Sequence, residues 1–179
     1  MATVLLMPGW QDSGPDHWQS HWERAHPKWH RLRGLDWDAP TRDGWVAGMD
    51  AALREIGSPV VLVCHSLGCH AAATWVSRHG AGPVRAALLV TPPDLERADM
   101  PPEIQGFTPL ALPPLPFPSV LVTSDNDGWC QPERSAFFAR RWGSRHLEIG
   151  SAGHINADAG FGPWPEGEAL LAELLAGHE

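Results

Sequence analysis

Six short β-prone runs punctuate the chain at Thr3–Met7, His30–Leu35, Val60–Cys64, Val84–Val90, Ser119–Ser124 and Arg145–Ile149. Stretches of helical periodicity separate them, and this alternation constrains the fold more than any other feature. Most of the runs are apolar at successive positions, as strands are when both faces of a sheet are covered. Helices are expected over 15–25, 41–56, 66–78, 132–142 and about 166–176. The second has Thr41 to cap its start, Trp45, Met49, Leu53 and Ile56 along one stripe, and Gly57 with Pro59 to end it. Strands and helices in alternation imply an α/β fold, a doubly wound parallel sheet of about six strands with helices on both faces. In such a sheet the ligand site lies at the carboxyl ends of the strands. Residues 92–118 break the rhythm with nine of the chain's eighteen prolines and no helical pattern. They are expected to form a stiff, irregular rim beside the site.

Composition removes several chemistries. The 179 residues suit one domain, taken as 1–179, and such a chain needs no metal or disulfide to fold. There is no Tyr to act as an acid, three Cys cannot complete a four-Cys metal site, and a Schiff base would rest on Lys28 alone. A net charge of −8 without any basic run argues against nucleic acid or an anionic membrane as partner. No apolar run is long enough to span a bilayer, residues 1–7 do not read as a signal peptide, and the thiols lack framework spacing. A cytoplasmic location is expected.

The strand ends carry the chemistry. After the third strand comes Cys64-His65-Ser66-Leu67-Gly68, followed by Ala71, Ala72 and Ala73. A Ser between a buried strand and a helix, with small neighbours two residues away, fits a strained nucleophile elbow. Helix capping is the competing role for such a Ser. The fifth strand runs into Asp125-Asn126-Asp127-Gly128, and the sixth into Gly153-His154-Ile155-Asn156. Nucleophile, acid and base therefore follow in the order this architecture uses. Asp127 is favoured as the acid because it lies further past its strand. Asp125 is the rival, with an Asx turn as its other role. The backbone N–H of Leu67 is the first candidate oxyanion donor. The second is Trp10 N–H in the loop after the first strand, where Gly9 permits close approach. That loop also reads Gly9-x-x-x-x-Gly14, but Pro15 and Asp16 stand where a phosphate loop needs Lys and Ser/Thr, which excludes nucleotide binding.

Together these residues resemble the small single-domain serine hydrolases of the retinoblastoma-binding protein nine/YdeN-like family, in the α/β-hydrolase superfamily. The resemblance spans nearly the whole chain. It is carried by Pro8-Gly9, Gly14-Pro15-x-His17-Trp18-Gln19, the elbow, Ser124-x-x-Asp127, Gly153-His154-Ile155-Asn156 and Gly162-Pro163-Trp164-Pro165. It implies Ser66 as nucleophile, Asp127 as acid and His154 as base, with no cofactor. One departure is Cys64, where the elbow usually has Gly, so crowding of the turn is expected. Leu62-x-Cys64-x-Ser66 also lacks the Glu of a retinoblastoma-binding motif, and that partner is not carried over.

Remaining features weigh less. His17 and His21 stand four apart on a helix, but Trp18 lies where a zincin has Glu, and no metal site is assigned. His17 is expected near the mouth of the site, and Trp10, Trp129 and Trp164, in loops at the same end, are candidate walls of an acyl pocket, with Gly9 and His17 beside them. Cys130 lies close to Asp127 but not on an elbow and is expected to pack. The expected function is a serine hydrolase cleaving a small or medium carboxylic ester through an acyl-enzyme on Ser66. The alternative is a protein-binding module that keeps the fold without turnover.

Overall fold

The computed structural model describes residues 2–104 and 106–177. Six strands, β1 (Thr3–Met7), β2 (His30–Arg31), β3 (Val60–His65), β4 (Val84–Val90), β5 (Ser119–Thr123) and β6 (Arg145–Glu148), form one sheet in the order β2-β1-β3-β4-β5-β6. Every pairing is parallel, with Met7 beside Cys64, Cys64 beside Leu89 and Leu89 beside Leu121. Chain progression reverses direction between β1 and β3, and this switch point opens a crevice at their carboxyl ends.

The five helices of the described residues are α1 (Trp18–Ala25), α2 (Arg42–Ile56), α3 (Leu67–His79), α4 (Pro132–Trp142) and α5 (Pro165–Ala176). Period-two alternation divides the strand side chains between two cores. Leu5, Met7, Leu62, Cys64, Leu89 and Leu121 point into one core, against Trp45, Met49 and Leu53 of α2, α3, and Phe138 and Trp142 of α4. Val4, Leu6, Val61, Val63, Leu88 and Val122 point into the other, against Trp18 and Trp22 of α1 and Leu171 of α5. Both faces are covered, which is why the central strands read as unbroken apolar runs. Full burial of each large side chain contributes about 1.5–3 kcal/mol. The ends of α2 form as its sequence implies. Thr41 Oγ1 accepts from Gly44 N–H at 3.2 Å, and Gly57 closes the helix at φ 62°.

The departures from the sequence reading lie at edges. β2 spans two residues rather than reaching Leu35. Leu32 N–H still bonds Leu6 O, after which Gly34, at φ 76°, turns the chain away. β6 is largely exposed, so neither outer strand is apolar on both faces. α1 begins at Trp18 rather than Pro15, because His17 is its cap. A 3-10 turn at Ala157–Ala159 carries no signal strong enough to be read beforehand. The described residues of 92–118 form neither helix nor strand, but they are not merely a rim. Leu95 and Phe107 are buried in the α2–α4 core, with Met100, Ile104, Leu110 and Leu115 packed against it. No helix of the described residues is long and apolar enough to cross a membrane.

Candidate active site

Ser66 stands between β3 and α3 at φ 54°, ψ −124°. That region is costly for a residue with a side chain, by about 1–3 kcal/mol. The surrounding packing holds it there. A Cβ on Gly68 would lie 2.7 Å from both Met7 O and Pro8 O, and one on Gly9 would lie 2.8 Å from Ser66 Cβ. The loop after β1 is thus pressed against the elbow, at a distance only glycine permits. Cys64 does not obstruct the turn. Its side chain points into the α2–α4 core, fully buried. The Ser66 side chain makes no capping hydrogen bond to α3.

Its hydroxyl instead lies 2.9 Å from His154 Nε2. On the other side of that ring, Nδ1 lies 2.9 and 3.1 Å from the two carboxylate oxygens of Asp127. Asp127 is buried, and Oδ1 also accepts from Trp129 N–H at 3.0 Å. With the ring proton on Nδ1 facing the carboxylate, Nε2 accepts the Ser66 O–H. Asp125 faces elsewhere. Its Oδ1 accepts from Ser151 Oγ at 2.7 Å on the surface. Asn126, which sequence reasoning passed over, ties the two loops together, its Oδ1 accepting from Gly153 N–H at 2.7 Å and Ser124 Oγ at 2.8 Å. Only the facing of two loops distant in sequence reveals that role.

A cavity of about 430 Å³ opens onto Ser66 and His154. Trp10, Leu67, Trp129, Pro93 and Ile104 give it an apolar side, while Gln11, Asp12, Asn156 and Asp158 give it a polar one. The Trp129 ring lies 6.0 Å from that of His154 and 6.1 Å from that of Trp10, centroid to centroid. His17 also lines the cavity, its ring 4.6 Å from that of His65, with Nδ1 accepting from Gln19 N–H at 3.2 Å. Burial, reinforced by the Arg31 charge, pushes the His17 pKa down to about 3. Burial likewise holds His65 well below the usual histidine range, so both rings are neutral.

Two pocket residues expected from the sequence do not line this cavity. Gly9 sits behind Ser66, where its role is close approach. Trp164 turns inward at φ 46° and packs on Trp18 and Trp22, at centroid distances of 5.2 and 5.9 Å. Gly167 leaves room for that ring: a Cβ there would come within 2.4 Å of it. A Trp before Pro at a helix start gave no sign of which way its indole would swing. His21 faces Gly162 rather than the cavity. Cys130 accepts from Ser135 Oγ at 3.3 Å, and burial pushes its thiol up to about 11, so it is no rival nucleophile.

Comparison with known proteins places this chain among relatives. The profile of the family described as serine hydrolase matches residues 4–173. A proposed YdeN-like hydrolase from Pectobacterium atrosepticum is 38% identical over 97% of this chain and 90% of its own, with a TM-score of 0.86. The ydeN gene product of B. subtilis, 19% identical, covers 98% of this chain and 100% of its own at a TM-score of 0.72. A thermophilic esterase from Thermogutta terrifontis shares the fold at 17% identity and a TM-score of 0.69, over 100% of this chain and 91% of its own. No curated protein matches the sequence.

Proposed function

Because the chain belongs to the serine hydrolase family and is a YdeN-like α/β-hydrolase, we propose that it cleaves small or medium carboxylic esters through an acyl-enzyme on Ser66. The observation carrying this reading is the unbroken hydrogen-bonded series from Asp127 through His154 to the strained Ser66 hydroxyl. His154 Nε2 takes the Ser66 proton as Oγ attacks the ester carbonyl carbon. The N–H groups of Leu67, first in α3, and of Trp10 receive the resulting oxyanion. Buried Asp127 offsets the imidazolium charge and keeps the ring oriented. His154 then gives its proton to the alkoxy oxygen, and the alcohol leaves. Water enters, His154 takes one of its protons, and the hydroxyl oxygen attacks the acyl carbon; release of the acid returns the proton to Ser66 Oγ. A cavity of about 430 Å³ suits a compact ester.

A fluorophosphonate probe and a p-nitrophenyl ester series of increasing chain length test the proposal together. Wild-type protein is expected to label on Ser66 and turn over the short esters, with Ser66→Ala losing about 10⁴–10⁶ in kcat. Labelling or turnover that survives Ser66→Ala would overturn the assignment. An unreactive Ser66 in a folded protein would favour the binding-module reading, and turnover of thioesters or amides alone would move the substrate class.

A further inference from the structure

The motif Gly14-Pro15-Asp16-His17-Trp18-Gln19 supplies no group to the proposed chemistry, yet its side chains at 17–19 are buried. Trp18 is fully buried, and its indole N–H donates to Ile155 O at 2.9 Å, across 137 residues of sequence. His65, the residue before Ser66, donates from Nε2–H to His154 O at 3.0 Å. Thr91, just past β4, donates from Oγ1 to the same carbonyl at 3.1 Å. Three elements thus place three donors on two consecutive carbonyls of the loop that carries His154. That loop needs support, because Gly153 and Ile155 are both left-handed, at φ 58° and 44°. Thr91 is itself left-handed at φ 46°, a conformation that its hydrogen bonds help to offset.

We propose that His65, Thr91 and Trp18 are positioning residues that set the His154 imidazole against Ser66, with the His17 ring holding that of His65 in its donating orientation. This rests on His154 acting as the base. Neither His65 nor His17 exchanges a proton with substrate. Burial keeps both neutral, so they add no positive charge beside the imidazolium that forms on His154. Displacing a base by about 1 Å costs roughly 10²-fold in rate, and a frame of this kind prevents that displacement.

The test compares Thr91→Val with Thr91→Ser, His65→Leu with His65→Gln, and Trp18→Phe. It measures kcat and KM on p-nitrophenyl butyrate, the rate of fluorophosphonate labelling, and Tm. Thr91→Val should lower kcat and labelling rate together by about 5- to 30-fold, with KM within about 2-fold. Thr91→Ser should recover most of the loss. His65→Gln, which keeps a side-chain N–H donor, should exceed His65→Leu, and Trp18→Phe should resemble Thr91→Val. The Thr91→Val, His65→Leu double variant should lose more than the product of the single losses, since the carbonyl then has neither donor. A folded Thr91→Val with kcat within 2-fold of wild type overturns the frame. So does a loss that only follows falling Tm and vanishes on cooling, or Thr91→Ser as damaged as Thr91→Val. If His65→Leu does not fold, the Thr91 pair and Trp18→Phe decide the matter. Full activity in Ser66→Ala would instead overturn the ester mechanism itself, so the two failures are distinguishable.

Discussion

Adding a single methyl group at Gly9 would test whether the loop after β1 must touch the elbow for catalysis. A Cβ there would lie 2.8 Å from Ser66 Cβ, 3.1 Å from His65 O and 3.4 Å from Leu67 N. Two carbons rest about 3.5–4.0 Å apart, so one of the two loops must retreat by roughly 1 Å. The elbow cannot easily give way, because Ser66 N–H is bonded to Val90 O at 2.8 Å and Cys69 N–H to Ser66 O at 3.0 Å. The loop carrying Trp10 is therefore the part that moves, and the Trp10 N–H moves with it. Overpacking of this kind costs about 1–3 kcal/mol of stability. Losing one oxyanion donor costs on the order of 10²–10³ in kcat. Gly9→Ala should fall in that range, with a smaller change in KM. Gly14→Ala is the matched control. It lies in the same loop and lines the same cavity, yet its Cβ would meet nothing within 4 Å. It should keep kcat within about 3-fold and leave Tm unchanged or slightly raised. Steady-state kinetics on p-nitrophenyl butyrate with thermal melts of both variants decide the matter. Equal activity in the two would refute the close-approach argument.

Acid should weaken the fold in a window set by buried histidines. Burial pushes His17 down to about 3 and His70 to about 4, with His65 also well below its ordinary value. Unfolded histidines bind protons near pH 6.5, so the unfolded state holds more protons below that value. Stability should therefore be full above about pH 6.5 and decline as pH falls toward 4, with a slope of up to about 1.4 kcal/mol per unit for each ring. Urea midpoints that stay flat from pH 7 to 5 would contradict this. Burial likewise raises all three thiols, Cys69 to about 12 and Cys130 to about 11, with Cys64 well above its usual value. The folded protein should resist an aromatic disulfide reagent at pH 8, with three equivalents reacting on denaturation. Finally, among the described residues the cavity lining includes Asp158 and Asp12, the latter paired at 2.6 Å with Arg31, but no Lys or Arg. The p-nitrophenyl hemiester of glutaric acid should show kcat/KM at least about 10-fold below the uncharged valerate, the gap narrowing with added salt. Equal rates at low salt would count against this.

The sequence was sufficient wherever a signal is local. Apolar runs at β1, β3, β4 and β5 are strands because both neighbouring faces are covered, and Thr41 and Gly57 bound α2 through their own side-chain and backbone preferences. The small residues around Ser66 and the order Ser66, Asp127, His154 likewise pointed to the candidate site, because the ligand crevice of a parallel sheet lies at its strand ends whatever fills the helices. Edges were poorly legible. The length of β2 depends on which amides its single neighbour can still reach, and the inward swing of Trp164 depends on the space above Gly167. The choice of Asp127 over Asp125 as the partner of His154 was settled by which loop faces which: one carboxylate meets the ring and the other meets Ser151. Hydrogen bonds from Trp18, His65 and Thr91 to residues 154 and 155 span up to 137 positions, and no local pattern encodes such a partner. The sequence by itself determined the central strands and the chain order of the candidate catalytic side chains, since these follow from apolar periodicity and from which residues stand at strand ends. Tertiary structure alone decided what holds His154 in place, because that depends on three elements meeting in space.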